Sequence, residues 1–260
     1  MIVGMRKPAR AALLAAFALL AIQSTPAQDT EIRIICSNGF RAALQKLLPQ
    51  AEHASGRKAK VQFGASRNLK GSIENGEPFD LAILTPQIIG DLTKEGKIAS
   101  GTALDLASTG IGVAVRAGAT KPDVATAQAI KQALLGAKSI GYVQVGAGTP
   151  AIVEMLDKLG ISQDVAKKTI FQTGAEESMK NLADGKVDLA LALVSEVLPA
   201  SGVQFAGPVP SEFQRKIIMT AGIAGATKNR EAANQFVKSL TSASAATAIQ
   251  AAGMEPSGTP

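Results

Sequence analysis

The feature that most restricts this chain is a repeated beat: a short apolar segment, a loop rich in Gly, Ser or Thr, then an amphipathic run. Glu31-Ile-Arg-Ile-Ile-Cys36 reads as a strand. Apolar residues then recur at helical spacing from Phe40 to Glu52 (Phe40, Ala43, Leu44, Leu47, Leu48), with Pro49 a candidate break. The same beat predicts strands at Lys60–Phe63, Asp80–Leu84, Gly110–Val115, Ser139–Val143, Thr169–Gln172 and Asp188–Val194. It predicts helices at Leu69–Asn75, Pro86–Glu95, Ala127–Leu135, Pro150–Leu159, Glu176–Ala183, Glu231–Leu240 and Ala243–Ala252. Pro86 at a first turn and Gly96 just past an end bracket one helix. Repeated βα units predict an α/β fold with parallel sheets covered on both faces.

The first 27 residues stand outside that beat. Arg6, Lys7 and Arg10 precede an unbroken apolar run from Ala11 to Ile22, and small residues at Thr25 and Ala27 suit a peptidase cut after Ala27. This layout is expected of a secretory signal peptide and predicts a periplasmic protein. Twelve apolar residues span only ~18 Å as a helix, against the ~30 Å of a bilayer core. Without these residues 233 remain, and the formal charge of +6 falls to +3. One large domain or two lobes of ~100–120 residues are then expected, ample for a hydrophobic core. Aromatics make up only 3% of the chain and no basic cluster stands among them, so a nucleic-acid partner is set aside.

The loops between strand and helix carry the functional signal. They are Ser37-Asn38-Gly39, Gly64-Ala65-Ser66-Arg67-Asn68, Gly146-Ala147-Gly148-Thr149 and Thr173-Gly174-Ala175. In an open α/β sheet such loops lie at the carboxyl ends of the strands, where ligands bind. Each presents a helix N-terminus, whose free N–H groups and positive dipole end favour an anion. Ser, Asn and Thr in these places also serve as N-caps, so one loop alone says little. Four loops, two in each half, point to a shared anion site.

Other chemistries fit poorly. If the helix from Phe40 is continuous, the single histidine, His53, lies ~20 Å from its N-terminus, too far to serve Ser37 or Cys36 as a base. One histidine and one cysteine leave no transition-metal site of the usual kind, and no cofactor is expected. Cys36 ends an apolar strand and is expected to be a buried small side chain, with no disulfide partner. Glu176 and Glu177 open a helix, where acids suit the dipole.

Ile34 to Leu48, Val61-Gln-Phe-Gly-Ala-Ser66, Gly76-Glu-Pro-Phe-Asp-Leu81 and Gly110-Ile-Gly-Val-Ala-Val-Arg116 resemble the molybdate-binding proteins of bacterial ABC importers. The likeness continues through Asp157-Lys-Leu-Gly160, Gly185-Lys-Val-Asp-Leu189 and Gly253-Met-Glu-Pro256. The resemblance implies a type II periplasmic-binding fold, two α/β lobes with the ligand between them. Lobe 1 would comprise 28–109 and 208–260, and lobe 2 would comprise 110–207. It also implies a small anionic ligand, an ABC permease in the inner membrane as partner, and a monomer.

By the same resemblance Ser66 matches a serine that donates to the oxyanion, and Gly148 and Ala175 match positions used through backbone N–H groups. The family's other first-loop hydroxyl falls at Gly39, with Ser37 and Asn38 as stand-ins, and its closing tyrosine falls at Leu193. Arg67 is an addition, and a guanidinium fork matches a planar carboxylate. The expected ligand is therefore an organic carboxylate rather than molybdate, held by Ser37, Asn38, Gly39, Ser66, Arg67, Gly148, Thr149 and Ala175. The alternative is an aconitate-isomerase-like enzyme on the same fold. Ser37, Thr149 and Glu176 are the available proton-moving groups for it, and none is convincing as a base.

Overall fold

The computed structural model describes residues 1–2 and 30–258, so the expected signal peptide and its cut after Ala27 lie outside the described residues. The chain runs β1 (Glu31–Ser37), a 3-10 turn (Asn38–Phe40), α1 (Arg41–Ser55), β2 (Lys58–Gly64), α2 (Ser66–Glu74), β3 (Leu81–Leu84), α3 (Pro86–Lys94) and β4 (Leu104–Thr109). It continues through β5 (Ile111–Arg116), α4 (Ala127–Gly136), β6 (Ile140–Val143), α5 (Thr149–Leu159), α6 (Ser162–Ala166), β7 (Thr169–Gln172) and α7 (Ala175–Ala183). Last come β8 (Leu189–Leu193), α8 (Val194–Val197), β9 (Val203–Pro208), β10 (Ile217–Ile223), α9 (Arg230–Leu240), α10 (Ala243–Ala251) and β11 (Glu255–Pro256).

Two sheets form, in the orders β11-β4-β10-β3-β1-β2 and β7-β6-β8-β5-β9. This is a two-lobed α/β fold, as expected. The all-parallel expectation needs correction, because both sheets are mixed. β1 runs parallel to β2 and β3, but β10 is antiparallel to β3 and β4. In the second sheet β6 is parallel to β7 and β8, whereas β5 is antiparallel to β8 and β9. The reversed strands are those that carry the chain between sheets. β4 passes to β5 across Gly110, and the return crosses residues 209–216 between β9 and β10. No helix separates β4 from β5 or β9 from β10, so the βα beat does not register these strands.

Local chemistry explains the individual elements. β3 is buried at every position, as a continuous Leu-Ala-Ile-Leu run between two paired neighbours should be. α1 does not break at Pro49. That residue and Gln45, whose carbonyl loses its partner, both lie on the exposed face, where water can satisfy the carbonyl. Gly56 ends α1 at φ 65°, the left-handed conformation that glycine adopts without steric cost. Asp80 is fully buried at the start of β3 and accepts from Arg33 N–H (2.8 Å), Thr227 Oγ1 (2.6 Å) and Arg33 Nε (3.4 Å). Burial alone would raise its carboxyl, but these hydrogen bonds hold it below the usual range. One apolar core runs from the first sheet through Ile111, Leu193 and Met219 into the second, so the lobes share packing at the crossings.

Candidate functional site

The four loops singled out in the sequence converge between the sheets at the carboxyl ends of β1, β2, β6 and β7. An inner cavity of about 20 Å³ lies between Ser37, Asn38 and Ala65 on one side and Gly148, Thr149 and Ala175 on the other. Ile152, Leu191 and Leu193 supply apolar walls, and Glu196 completes the lining. Such a space is water-sized, so a larger anion enters only if the lobes separate or the walls move. Outside it, and sharing Gly146 and Ala147, opens a cleft of about 560 Å³ whose lining includes Ser66, Arg67, Lys70 and Lys216.

The sequence-selected residues therefore fall into three groups. Ser37, Asn38, Gly148, Thr149 and Ala175 line the inner cavity, and Ser66 and Arg67 line the outer cleft. Gly39 lines neither. A β-carbon there would meet the Met219 Cε and lie 2.8 Å from Leu193 Cδ1, so this glycine permits close packing rather than offering a donor from a side chain. Gly148 faces the same leucine from the other lobe, where a β-carbon would lie 3.0 Å from Leu193 Cδ2 and 2.7 Å from Ile111 Cδ1. Leu193 is thus wedged between two glycine backbones, one from each lobe. The positions without hydroxyls fit together as one apolar unit.

The hydroxyls also divide. Ser66 Oγ donates to Ser37 Oγ at 2.9 Å, and both side chains are 2% exposed. That arrangement leaves the Ser37 proton to point at another acceptor. Thr149 needs correction as a donor. Its Oγ1 donates to Val143 O at 2.6 Å, which fixes the turn into α5 and removes its proton from ligand recognition.

Three cations border the outer cleft. Lys70 pairs with Glu74 and, at 3.0 Å, with Glu95, while Lys216 pairs with Glu255 at 2.6 Å. Arg67 is exposed in the first turn of α2 and makes no ion pair among the described residues. It sits in a helix rather than in the loop before it.

Two residues at the site escaped the sequence reading. Arg41 opens α1, with its guanidinium 4.4 Å above the Phe63 ring. Its Nη2 donates to Asn38 Oδ1 at 2.9 Å and its Nη1 to Glu176 Oε1 in the other lobe. A cation just past the Ser-Asn-Gly loop was the available signal, hidden because Arg41 fits the polar face of α1. Glu196, in α8, is partly buried. Burial pushes its carboxyl up to about 7, against the opposing effects of the Leu193 N–H and Arg41. Nearby, Ser195 Oγ donates to Gly39 O at 2.8 Å, a second bond between the lobes.

Nucleophilic and metal chemistry find little support here. Cys36 is buried, and desolvation pushes its thiol far above the ordinary range, so a thiolate nucleophile is disfavoured. Among the described residues no group of three or more His, Cys, Asp and Glu side chains is placed to hold a metal ion. The arrangement suits reversible enclosure of a small anion between hydroxyl, helix N-terminus and guanidinium donors.

Comparison with known proteins agrees in outline. A family profile described as bacterial extracellular solute-binding protein matches residues 32–255. An aconitate isomerase from Pseudomonas sp is 26% identical over 251 residues, 95% of this chain and 94% of that protein. The molybdate-binding protein of Azotobacter vinelandii is 25% identical over 233 residues, 87% of this chain and 90% of that protein. Among solved structures, the Azotobacter vinelandii periplasmic molybdate-binding protein superposes with a TM-score of 0.74 at 20% identity, covering 86% of this chain and 98% of that one. The sulfate-binding protein of Mycobacterium tuberculosis H37Rv superposes with a TM-score of 0.70 at 18% identity, covering 87% of each chain. At such identities the superpositions speak for the fold.

Proposed function

The chain belongs to the bacterial extracellular solute-binding proteins, of the ABC-importer type, and on that premise we propose that its cleft captures a small organic anion with at least one carboxylate. The observation that carries this reading is Arg67, a guanidinium at the cleft mouth with no ion pair among the described residues. Its planar fork matches a carboxylate in a way a lysine cannot. Leu193, wedged between Gly39 and Gly148, supports the same reading, because it stands where the resemblance implies a tyrosine hydroxyl and has only methyl groups to offer. Each missing charge-assisted hydrogen bond would weaken molybdate by roughly 1.5–3 kcal/mol. In this reading 28–109 with 208–260 and 110–207 act as the two closing lobes, and the loaded monomer delivers its ligand from the periplasm to an inner-membrane permease. Native mass spectrometry of protein from its own host tests the reading. A released di- or tricarboxylate is the expected result, and a released molybdate or sulfate would refute it.

A second reading, proton transfer on a bound carboxylate, is favoured by one observation. Glu196 lines the cavity and burial pushes its carboxyl up to about 7, which suits a general acid–base group. The relative named aconitate isomerase makes the substrate choice concrete. Incubation with cis- and trans-aconitate should show interconversion if this reading holds, and binding without interconversion would reject it.

A further inference from the structure

Glu196 lines both the inner cavity and the neighbouring cavity of about 410 Å³ walled by Arg41, Glu176 and Lys180. Those three are the charged groups that face it from α1 and α7. The surrounding residues from the first loop, β8 and α5 (Asn38, Leu193, Thr149) carry no charge. Neither cation is available to pair with it. Arg41 is committed to Glu176 and Asn38, and Lys180 to Asp184 at 2.7 Å. Among the described residues the only hydrogen bond of the Glu196 carboxyl is Oε2 accepting from Leu193 N–H, at a long 3.4 Å. A carboxyl so placed cannot remain an anion beside a second anion without strong repulsion, yet it offers an ideal donor once protonated.

We propose that Glu196 meets the ligand as a neutral carboxyl and donates a hydrogen bond to a ligand carboxylate oxygen, so that capture above neutral pH takes up one proton. This rests on the carboxylate reading of the cleft. On capture a solvent or buffer acid gives up its proton and an O–H bond forms on Glu196 Oε; on release that bond breaks and the proton returns to solvent, and no other bond changes. The free carboxyl changes charge near pH 7, so the uptake falls within an accessible range.

The test is calorimetric titration of trans-aconitate into the intact protein between pH 7 and 9, where the ligand's own carboxyl groups are ionised. At pH 8 the apparent enthalpies in Tris and HEPES should differ by an amount equal to about one proton taken up, and affinity should weaken about tenfold per pH unit. Glu196→Gln keeps a donor at every pH, so it should bind with a flat pH profile and no proton uptake. The buffer comparison on the unaltered protein stands even if that variant does not fold. Binding of trans-aconitate with no proton uptake and a flat profile would overturn the inference while leaving the carboxylate reading intact. Failure of trans-aconitate, citrate and succinate to bind at any pH would overturn both.

Discussion

The inner cavity and the outer cleft share Gly146 and Ala147 but are made of opposite materials. Inside, apolar walls, the Ser37 hydroxyl and the Glu196 carboxyl, which makes no ion pair among the described residues, leave a space of about 20 Å³. Outside, three cations rim a space of about 560 Å³, and two of them are already neutralised by glutamates. The contrast separates two tasks. On the proposed reading, attraction of an anion belongs to the rim, where Arg67 makes no ion pair among the described residues, whereas discrimination belongs to the interior, where Leu193 packs between two glycines. Arg41–Glu176 and Ser195–Gly39 bond across the two sheets, and on the proposed reading closure through them would join the tasks.

The sharpest way to break this division is at Arg67. Arg67→Ala should weaken carboxylate binding by about 1.5–3 kcal/mol, read by calorimetry, and Arg67→Lys should restore little because the fork is lost. Lys70→Ala should cost far less, since Lys70 already serves Glu74 and Glu95. Equal losses at the two positions would show that the rim acts only as a diffuse field. The interior is tested next. Gly39→Val should destabilise the protein by about 1–3 kcal/mol in denaturant melts, through overpacking against Met219 and Leu193. Leu193→Ala in the same chain should recover part of that loss; no recovery would mean that the wedge is not the relevant contact.

A smaller effect concerns pH. The folded-state carboxyl of Glu196 sits near 7, above its ordinary value of 4.5, so folding takes up a proton between those values. Stability should therefore fall as pH rises from about 4.5 to about 7 and level off above, by on the order of 1–2 kcal/mol after allowing for residual exposure. Glu196→Gln should lack this fall in melts across that range, and a parallel fall in the variant would assign it elsewhere. Glu176→Gln should be mildest, because an exposed partner makes the Arg41 pair worth at most about 1 kcal/mol. Small-angle scattering of the ligand-free protein should show a modestly larger radius of gyration, while an unchanged radius would remove the pair from the closing contacts.

The alternation of apolar runs and Gly/Ser/Thr loops was enough to place β1, β3, β6, β8 and most helices, because each buries a face with a distinct period. β4, β9 and β10 were not legible. Leu104-Asp105 begins β4 on an exposed surface, and β10 pairs with strands more than 100 residues away, so no local pattern marks its direction. At the site the loops were legible and their chemistry only in part. Ser37 and Asn38 were visible as loop polar groups, but the commitment of Thr149 to Val143 depends on a turn geometry that spacing does not encode. Arg41 and Glu196 gain their roles only when the lobes pack together. In the sequence one is a helix-surface cation and the other an ordinary acid after a strand.

On the proposed reading the cleft prefers a carboxylate to a tetrahedral oxyanion. The direct measurement is a paired calorimetric titration of trans-aconitate and molybdate into the native protein and into Arg67→Ala. Trans-aconitate should bind at least about tenfold more tightly than molybdate, and most of this advantage should disappear in the variant. Tight molybdate binding that Arg67→Ala leaves unchanged would contradict it.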